Sequence, residues 1–396
     1  MTTEIRQRWS WWSGVSPVGV RSGLATYSTG LAAAVARSGV GVRGIGVGQS
    51  GDNDGVSWIG VSAETRTRGR ALFSLDPYIA NRLKVAEHAA AVDAELDLDP
   101  DVVVIDHLMS AWALDRAETW RARTGGKIVH VSHNDEALVR TSWAAGTAVV
   151  SPRGLYLRFD GWRSARLQRR VIAAADLVTM ITDADAKSIA SRHESIKSVV
   201  LTPGYSGPCE SLDLVATDRP RSVLLFGSLD WEAKRQNVIE VVQALDPVFA
   251  EANIDLRVVG GGADDFVAAQ HGKWAATTFT GPIDDLGAEF NRNRLGLVAE
   301  PIGGGFKLKS LDYAMRGLPI VVLDGSMSGL GLSRDVHYGS AASMAQLPAA
   351  VIEAIDDPEQ LDRWSAEAAK AVEGRFEWKD RGSELVETVI SLSRRH

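Results

Sequence analysis

The sequence predicts an α/β protein with two Rossmann-like domains, each a doubly wound sheet covered by helices. Short apolar runs with the length of buried parallel strands alternate with amphipathic stretches at helical spacing along the chain. This alternation occurs twice, on either side of a segment rich in turn-forming residues. A chain of 396 residues also exceeds the size of one typical domain, which favours two.

The boundary between the halves is predicted from composition. Residues 202–220 are rich in Pro, Gly and Ser and show no periodicity, so we place a linker at 204–219. The first domain then comprises residues 1–203 and the second 220–378. Residues 379–396 are predicted to form a C-terminal helix that packs back on the first domain.

In the first half, residues 23–38 carry apolar side chains at helical spacing and end at Gly39, a residue typical of helix C-termini. Residues 162–175 predict a second helix, which is strongly basic. The apolar runs expected to form buried strands are 40–47, 101–106, 127–132 and 177–182.

In the second half, a strand is predicted at 222–226 and a helix at 237–245, and further strands at 255–259, 277–280, 295–299 and 320–323. Glycines follow four of the strands, at Gly227, Gly260 to Gly262, Gly281 and Gly303 to Gly305. A doubly wound sheet binds ligands beyond the carboxyl ends of its strands. The second half is therefore expected to bind a nucleotide.

The last of these glycine segments is the most informative. Three glycines, followed by Lys307 and Lys309, lead into a helix that also carries Asp312. Free backbone N–H groups and the positive end of a helix dipole favour a phosphate. The set suits a nucleotide diphosphate attached to a ribose or a sugar. The alternative is an ordinary loop, helix and strand with two solvated lysines.

Composition excludes several classes of protein. The formal charge of −7 argues against a nucleic-acid partner, and the single cysteine excludes an internal disulfide. No apolar run approaches the roughly 20 residues of a membrane span, and residues 1–12 lack the apolar core of a signal peptide. We expect a cytoplasmic protein.

Taken together, the order and spacing of several motifs resemble the large retaining family of nucleotide-sugar-dependent GT-B glycosyltransferases, group 1 type, which includes bacterial polysaccharide and glycolipid enzymes. The resemblance covers nearly the whole chain. The motifs that carry it include Ser16 to Gly23, Val131 to Glu136, Phe226 to Trp231, Gly317 to Val321 and Phe376 to Trp378.

The resemblance implies a hexosyltransferase with two domains facing a cleft. It would move a sugar from a UDP- or GDP-linked donor to a saccharide, lipid-linked or small-molecule acceptor, with retention at the anomeric carbon. The donor would lie mostly on the second domain and the acceptor on the first. No metal and no other cofactor is implied, because basic residues and a helix N-terminus neutralise the leaving diphosphate.

The resemblance also assigns residues. His133 would contact the donor sugar, and Lys307 and Lys309 would hold the diphosphate. The ribose would lie near Asp312, and the base near Gly261 and Gly281. The remaining donor-binding predictions are Gly23, Gly227, Ser228, Lys234, Gly304, Gly305 and Phe306.

Two departures from the family pattern leave alternatives open. Asp312 stands where the family has its second glutamate, and Gly304 stands where it has the first. Lys234 lies one residue out of register with the family's second basic residue, so Arg235 competes for that role.

Three alternatives to a retaining transferase follow. Asp106, which ends a predicted strand, is included among the catalytic candidates as the base of an inverting enzyme, although it could also shape the acceptor site or cap the next helix. A nucleotide-sugar epimerase is the second alternative. A non-catalytic protein that binds a nucleotide or a partner is the third.

Basic and aromatic residues in two places suggest peripheral contact with the inner face of a membrane, the alternative being a solvated surface. The first place is the N-terminal tryptophan cluster and the second is the basic helix. The residues are Trp9, Trp11 and Trp12 with Arg6 and Arg8, and Trp162 with Arg163, Arg166, Arg169 and Arg170.

Overall fold

The computed structural model describes residues 7–19, 22–62, 74–145, 151–193, 196–208, 215–229, 232–300 and 306–393. The chain forms two compact units. The first comprises Met1–Gly204 with Glu377–His396, and the second comprises Tyr205–Phe376. The chain thus passes into the second unit after Gly204 and returns to the first after Phe376.

The first unit contains an eight-stranded sheet in the part of the chain that the structure describes. Its strands are β1 (Arg8–Trp12), β2 (Gly41–Val47), β3 (Gly51–Asn53), β4 (Val56–Val61), β5 (Val102–Asp106), β6 (Lys127–Val131), β7 (Leu177–Met180) and β8 (Ser198–Val200). The order is β3-β4-β2-β1-β5-β6-β7-β8, and all neighbours are parallel except β3 and β4.

Helices connect these strands. They are α1 (Gly23–Arg37), α2 (Tyr78–Asn81), α3 (Ala86–Leu96), α4 (His107–Ser110), α5 (Leu114–Thr124), α6 (Glu136–Ala145), α7 (Pro152–Ala174) and α8 (Asp183–Ala190). Ser22 caps α1, because its hydroxyl accepts a hydrogen bond from the Ala25 N–H at 3.2 Å.

The first strand corrects the interpretation of the N-terminal tryptophans. β1 lies between β2 and β5, and Trp9, Trp11 and Trp12 are only 1%, 0% and 1% exposed. A central strand of a parallel sheet is covered on both faces and is therefore apolar along its length. The polar residue within it, Ser10, accepts a hydrogen bond from the Trp12 indole at 2.9 Å. A membrane-facing role for these tryptophans is wrong.

The second unit contains a six-stranded parallel sheet within the described ranges. Its strands are β9 (Ser222–Phe226), β10 (Asp255–Val259), β11 (Thr277–Gly281), β12 (Leu295–Val298), β13 (Ile320–Leu323) and β14 (Gly339–Ala341), in the order β11-β10-β9-β12-β13-β14. The helices are α9 (Glu232–Ala252), α10 (Asp264–Ala268), α11 (Leu286–Asn291), α12 (Leu308–Met315), α13 (Leu347–Ile355) and α14 (Pro358–Val372).

The predicted α/β class with two Rossmann-like sheets is confirmed. Strands β9, β10 and β13 begin and end where the apolar runs predict. Helix α9 is longer than the predicted 237–245: it begins at Glu232 and continues through Pro247 to Ala252. The helix continues because Phe249, beyond the proline, is fully buried in the core of this unit.

The last helix, α15 (Trp378–Ser393), packs against α1 in the first unit. The Trp378 ring fills a site made by two glycines: a Cβ on Gly30 would lie 2.2 Å from it, and one on Gly204 2.4 Å. A Cβ on Gly382 would lie 2.3 Å from the Ala34 backbone. Gly30 and Gly382 therefore allow the close approach of the two helices, and Gly204 leaves room for the Trp378 ring. Among the helices described above, none has the length and apolarity of a membrane span.

Replacing Trp378 should destabilise the first unit. Trp378→Ala removes a buried ring from between Gly30 and Gly204, and we expect a loss of about 3–5 kcal/mol in the free energy of unfolding. Trp162→Ala is the matched control, because the Trp162 side chain is half exposed and should cost less than about 0.5 kcal/mol. Urea unfolding of both variants measures the difference. Equal losses would contradict the packing described here.

Candidate functional site

The predicted site residues fall into two groups, one on each unit. In a doubly wound sheet, ligands bind where the strand order reverses, at the carboxyl ends of the strands. This position lies between β1 and β5 in the first unit and between β9 and β12 in the second. Asp106 ends β5 and Gly227 follows β9, so both lie at such a position.

In the first unit, the structure brings His133 and Asp106 together. His133 Nε2 lies 2.6 Å from Asp106 Oδ1, and the indole of Trp11 donates to Asp106 Oδ2 at 2.8 Å. Burial would raise the pKa of the Asp106 carboxyl, but His133 and the Trp11 N–H lower it. A hydrogen bond from His133 to the ionised carboxylate requires a proton on Nε2, and in the tautomer with that proton alone Nδ1 is an acceptor.

The structure also answers one alternative for Asp106. Although α4 begins directly after it, its side chain makes no capping hydrogen bond. The interpretation of Asp106 as a helix cap is wrong, because both carboxylate oxygens already accept hydrogen bonds from His133 and Trp11.

A second histidine–carboxylate pair lies beside the first. His107 Nε2 is 3.2 Å from Glu136 Oε1, and the Met109 N–H donates to His107 Nδ1 at 3.1 Å. Burial would raise the pKa of Glu136, but the hydrogen bond and charge of His107, with the charge of Arg140, lower it to about 2. The His107 backbone has φ +66°, a conformation that side chains other than glycine rarely adopt.

Aromatic rings hold His133 in place. The rings of Tyr27 and His107 meet it edge to face, with centroids 4.9 and 5.1 Å away. The Tyr27 hydroxyl donates to the Leu201 carbonyl at 2.8 Å, and its ring lies 5.8 Å from that of Trp378. Burial and the charge of Asp106 raise the pKa of the Tyr27 hydroxyl, which therefore stays a donor. His133 is a positioned side chain rather than a mobile one.

Gly23 lies apart from this cluster in the hydrogen-bond network of the described residues. It is the first residue of α1 and is exposed. Its φ is not in the left-handed region, so the structure requires no glycine there on backbone grounds. Contact of its N–H with a donor stays a prediction.

In the second unit, the glycines that follow three strands lie side by side. The Gly260 N–H donates to the Gly281 carbonyl at 3.1 Å, and the Leu229 N–H donates to the Gly261 carbonyl at 2.8 Å. A Cβ on Gly260 would lie 1.8 Å from the carbonyl oxygen of Gly227, so no side chain fits. Three predicted donor-binding glycines, Gly227, Gly261 and Gly281, therefore share one edge of the sheet.

Lys307 and Lys309 converge on one carboxylate. The ammonium groups lie 2.6 and 2.5 Å from the two oxygens of Glu300, which follows β12. Burial would raise the pKa of the Glu300 carboxyl, but Lys309 and Lys307 lower it to about 2. The Glu300 backbone N–H donates to the Ser326 hydroxyl at 2.9 Å, which fixes the chain after β12. The two ammonium groups therefore share the Glu300 carboxylate.

The neighbouring predictions are placed as follows. Gly304 and Gly305 lie outside the described residues. Lys307 is the N-cap residue of α12 and its side chain makes no capping bond. The Phe306 ring packs against that of Phe376, with centroids 6.0 Å apart.

Asp312 is largely enclosed within the second unit. Burial raises the pKa of its carboxyl to about 6, against the charge of Arg316 and a hydrogen bond with Tyr205. The Tyr205 hydroxyl also lies 3.0 Å from the Pro208 carbonyl oxygen, and its single proton is donated to one of these two acceptors at a time. The Asp312 carboxyl is thus poised to change its charge close to neutral pH.

The choice between Lys234 and Arg235 is partly answered by their contacts. Both lie in the first turns of α9. The Arg235 guanidinium donates to the Leu229 carbonyl at 2.8 Å and so holds the turn that contains Ser228. Arg235 therefore has a structural contact in that turn, and the assignment of Lys234 and Ser228 to a donor stays a prediction.

Comparison with known families decides the class of the protein. A family model described as a glycosyl transferase 4-like domain matches residues 22–204, and one described as glycosyl transferases group 1 matches residues 220–357. Together they match most of the chain. The chain is a glycosyltransferase with a group 1 domain in its second half. The predicted enzyme class and family are confirmed.

The glycosyltransferase also shares its fold with solved structures. Sucrose-phosphate synthase from Thermosynechococcus elongatus matches with a TM-score of 0.75 at 16% identity, covering 99% of this chain and 100% of that chain. Anabaena HepE in complex with UDP and glucose gives 0.66 at 13%, with coverage of 98% and 100%. WaaG, a glycosyltransferase involved in lipopolysaccharide biosynthesis, gives 0.66 at 16%, with coverage of 96% and 99%.

These identities show the fold alone, which is the predicted GT-B fold. Comparison of the glycosyltransferase with curated proteins gave no significant sequence match.

Sequence reasoning missed three members of the two clusters: Trp11, Glu136 and Glu300. The tryptophans Trp9, Trp11 and Trp12 were interpreted as a surface because they lie beside Arg6 and Arg8. Glu300 lies four residues before position 304, where the family has its first glutamate, and so was not assigned to the site, although it follows a buried strand at the reversal of strand order. The position of Glu300 could have identified it as a site residue, since ligands usually bind at the carboxyl ends of the strands where the strand order reverses.

Removing the charge of Glu300 should strengthen anion binding. Its carboxylate competes for both ammonium groups, so Glu300→Gln should bind pyrophosphate about tenfold more tightly, with a steeper dependence on salt. Isothermal titration calorimetry measures the affinity. Asp356→Asn, which removes a carboxylate paired with Arg221, is the control and should change nothing. Weaker binding by Glu300→Gln would show that Glu300 orients the lysines for the anion.

Asp312 should make stability depend on pH. Its folded-state pKa, about 6, lies above the ordinary value of 3.8, so its stabilising effect is complete below about pH 4 and is lost as pH rises through 6. Asp312→Asn should therefore gain up to about 3 kcal/mol relative to the wild type at pH 8 and little at pH 4. Denaturant unfolding across this range tests the expectation, with exposed Asp324→Asn as control. A difference independent of pH would contradict it.

Proposed function

We propose that this glycosyltransferase moves a sugar from a nucleoside-diphosphate donor to a saccharide, lipid-linked or small-molecule acceptor. The observation that carries the proposal is the convergence of Lys307 and Lys309 at the start of α12, beside the reversal of strand order in the second unit. Fixed cations stabilise the charge that develops on a leaving diphosphate, which is commonly the largest catalytic contribution. The donor diphosphate displaces Glu300 from the two ammonium groups.

The rest of the donor would bind along the same edge. The base would contact the backbone at Gly227, Gly261 and Gly281. Asp312 would accept hydrogen bonds from the ribose hydroxyls. HepE has been solved in complex with UDP-glucose, which supports a uridine donor here, with guanosine as the alternative. Because two lysines supply positive charge, we propose that transfer needs no metal ion.

His133 is proposed to bind the transferred sugar. Its Nε2–H is committed to Asp106, so Nδ1 is the nitrogen that accepts a hydrogen bond from a sugar hydroxyl. Tyr27 and His107 hold the ring at the orientation that this contact needs.

We propose that transfer proceeds with retention at the anomeric carbon. An inverting enzyme needs a base that reaches the acceptor hydroxyl. Asp106 is fully buried, and both of its oxygens accept hydrogen bonds, which counts against that role.

WaaG acts in lipopolysaccharide biosynthesis, which supports an acceptor in polysaccharide or glycolipid assembly on the cytoplasmic side of a membrane.

Two other functions remain as alternatives. A nucleotide-sugar epimerase would use the same donor edge without an acceptor. A non-catalytic nucleotide-binding protein is favoured by one observation, the glycine at position 304 in place of the family's first glutamate.

Removing the lysines tests the donor site. Thermal shifts of the wild type should be selective for one nucleoside diphosphate and insensitive to EDTA, since a ligand at 100 times its dissociation constant adds about 2.7 kcal/mol. Lys307→Ala with Lys309→Ala should abolish the shift and reduce kcat at least about 100-fold with a proven donor. The exposed Lys273→Ala is the control.

The products separate the remaining functions. Nuclear magnetic resonance of the anomeric proton reports retention or inversion, and an epimerised nucleotide sugar would identify an epimerase. Full turnover by the double lysine variant would show that the leaving-group site is misassigned. Nucleotide binding without hydrolysis or transfer would favour the non-catalytic alternative.

A further inference from the structure

An apolar patch lies exposed on the first unit. Leu155, Phe159 and Trp162 of α7 are 59%, 42% and 50% exposed, and Leu138 of the adjacent helix α6 is 51% exposed. The other large apolar side chains exposed to this degree among the described residues are scattered along the chain: Leu75, Leu98, Val215 and Val336. Contiguous exposed apolar side chains on a folded protein mark an interaction surface.

The patch is ordered by its own contacts. The rings of Phe159 and Trp162 are stacked, with centroids 5.9 Å apart and planes 14° from parallel. The Arg163 guanidinium lies 4.6 Å from the centre of the Phe159 ring and is paired with buried Asp160 at 2.7 Å. Two large aromatic side chains are thus held on the surface.

Two arginines lie on the same face of helix α7 as the apolar side chains. Residues 155, 159, 162, 166 and 169 follow one another at spacings of three and four, which places them on one face. The last two are Arg166 and Arg169. Helix α7 carries six arginines and one acidic residue, in a chain with a net charge of −7.

We propose that the stripe formed by Leu155, Phe159, Trp162, Arg166 and Arg169 is a docking surface for an anionic lipid bilayer. A helix lying flat on a membrane inserts apolar and aromatic side chains at the headgroup boundary, while arginines contact the anionic headgroups. A stable protein interface needs roughly 20–30 residues a side, and this patch offers far fewer. The prediction of membrane contact by the basic helix is therefore kept for Trp162, Arg166 and Arg169. It does not hold for Arg163, because that side chain is buried.

Vesicle flotation of the full chain tests the proposal, without donor or acceptor, so its outcome is independent of the transferase assignment. At low salt the protein should float with phosphatidylcholine vesicles containing phosphatidylglycerol and not with pure phosphatidylcholine. Phe159→Ala with Trp162→Ala should reduce the bound fraction at least about tenfold. Arg166→Gln with Arg169→Gln should reduce partitioning by roughly thirtyfold.

The control variants remove apolar side chains or positive charges that lie outside the patch. Leu98→Ala with Val336→Ala removes exposed apolar side chains, and Lys273→Gln with Lys370→Gln removes two exposed charges; both should float like the wild type. Brominated lipid should quench part of the tryptophan fluorescence of the wild type and less of that of Trp162→Phe. Absence of flotation, or flotation unchanged in both patch variants, would overturn the proposal. A dimer of the wild type that the patch variants lose would assign the surface to a second copy instead.

Discussion

The buried carboxylate of Asp106 is the constraint around which the first unit is arranged. A charge removed from water must be matched by hydrogen bonds and an opposite charge, or folding becomes unfavourable. Here the match comes from Trp11 on β1 and from His133 after β6. One acidic side chain at the end of β5 therefore fixes the ends of its neighbouring strands. Through the His133 ring, the same constraint reaches Tyr27 on α1.

The second unit uses the opposite arrangement of charge. There the Glu300 carboxylate is shared by Lys307 and Lys309. The first unit fixes the His133 ring among aromatic side chains, while the second holds two ammonium groups against one carboxylate. These properties suit, respectively, recognition of a neutral hydroxyl and stabilisation of a departing phosphate.

The fold follows from the sequence wherever a local pattern decides it. Buried strands such as Ser222–Phe226 and Ile320–Leu323 are continuous apolar runs, and Gly227 and Gly281 mark the ends of two strands. The contacts of Glu300 with Lys307 and Lys309 could not be predicted, because no local sequence pattern specifies a contact between side chains seven and nine residues apart. Trp11 was misread because tryptophans beside arginines are typical of a membrane-facing surface, and only pairing with β2 and β5 shows that its strand is interior.

The placement of α15 has a consequence for synthesis of the chain. The ribosome releases Tyr205–Phe376, a contiguous segment, before residues 377–393 that complete the first unit. Until then, the surface of α1 around Gly30 lacks the ring that covers it. The segment that forms the second unit is thus complete before the last segment of the first unit is made, and the first unit lacks the packing of Trp378 against Gly30 until then.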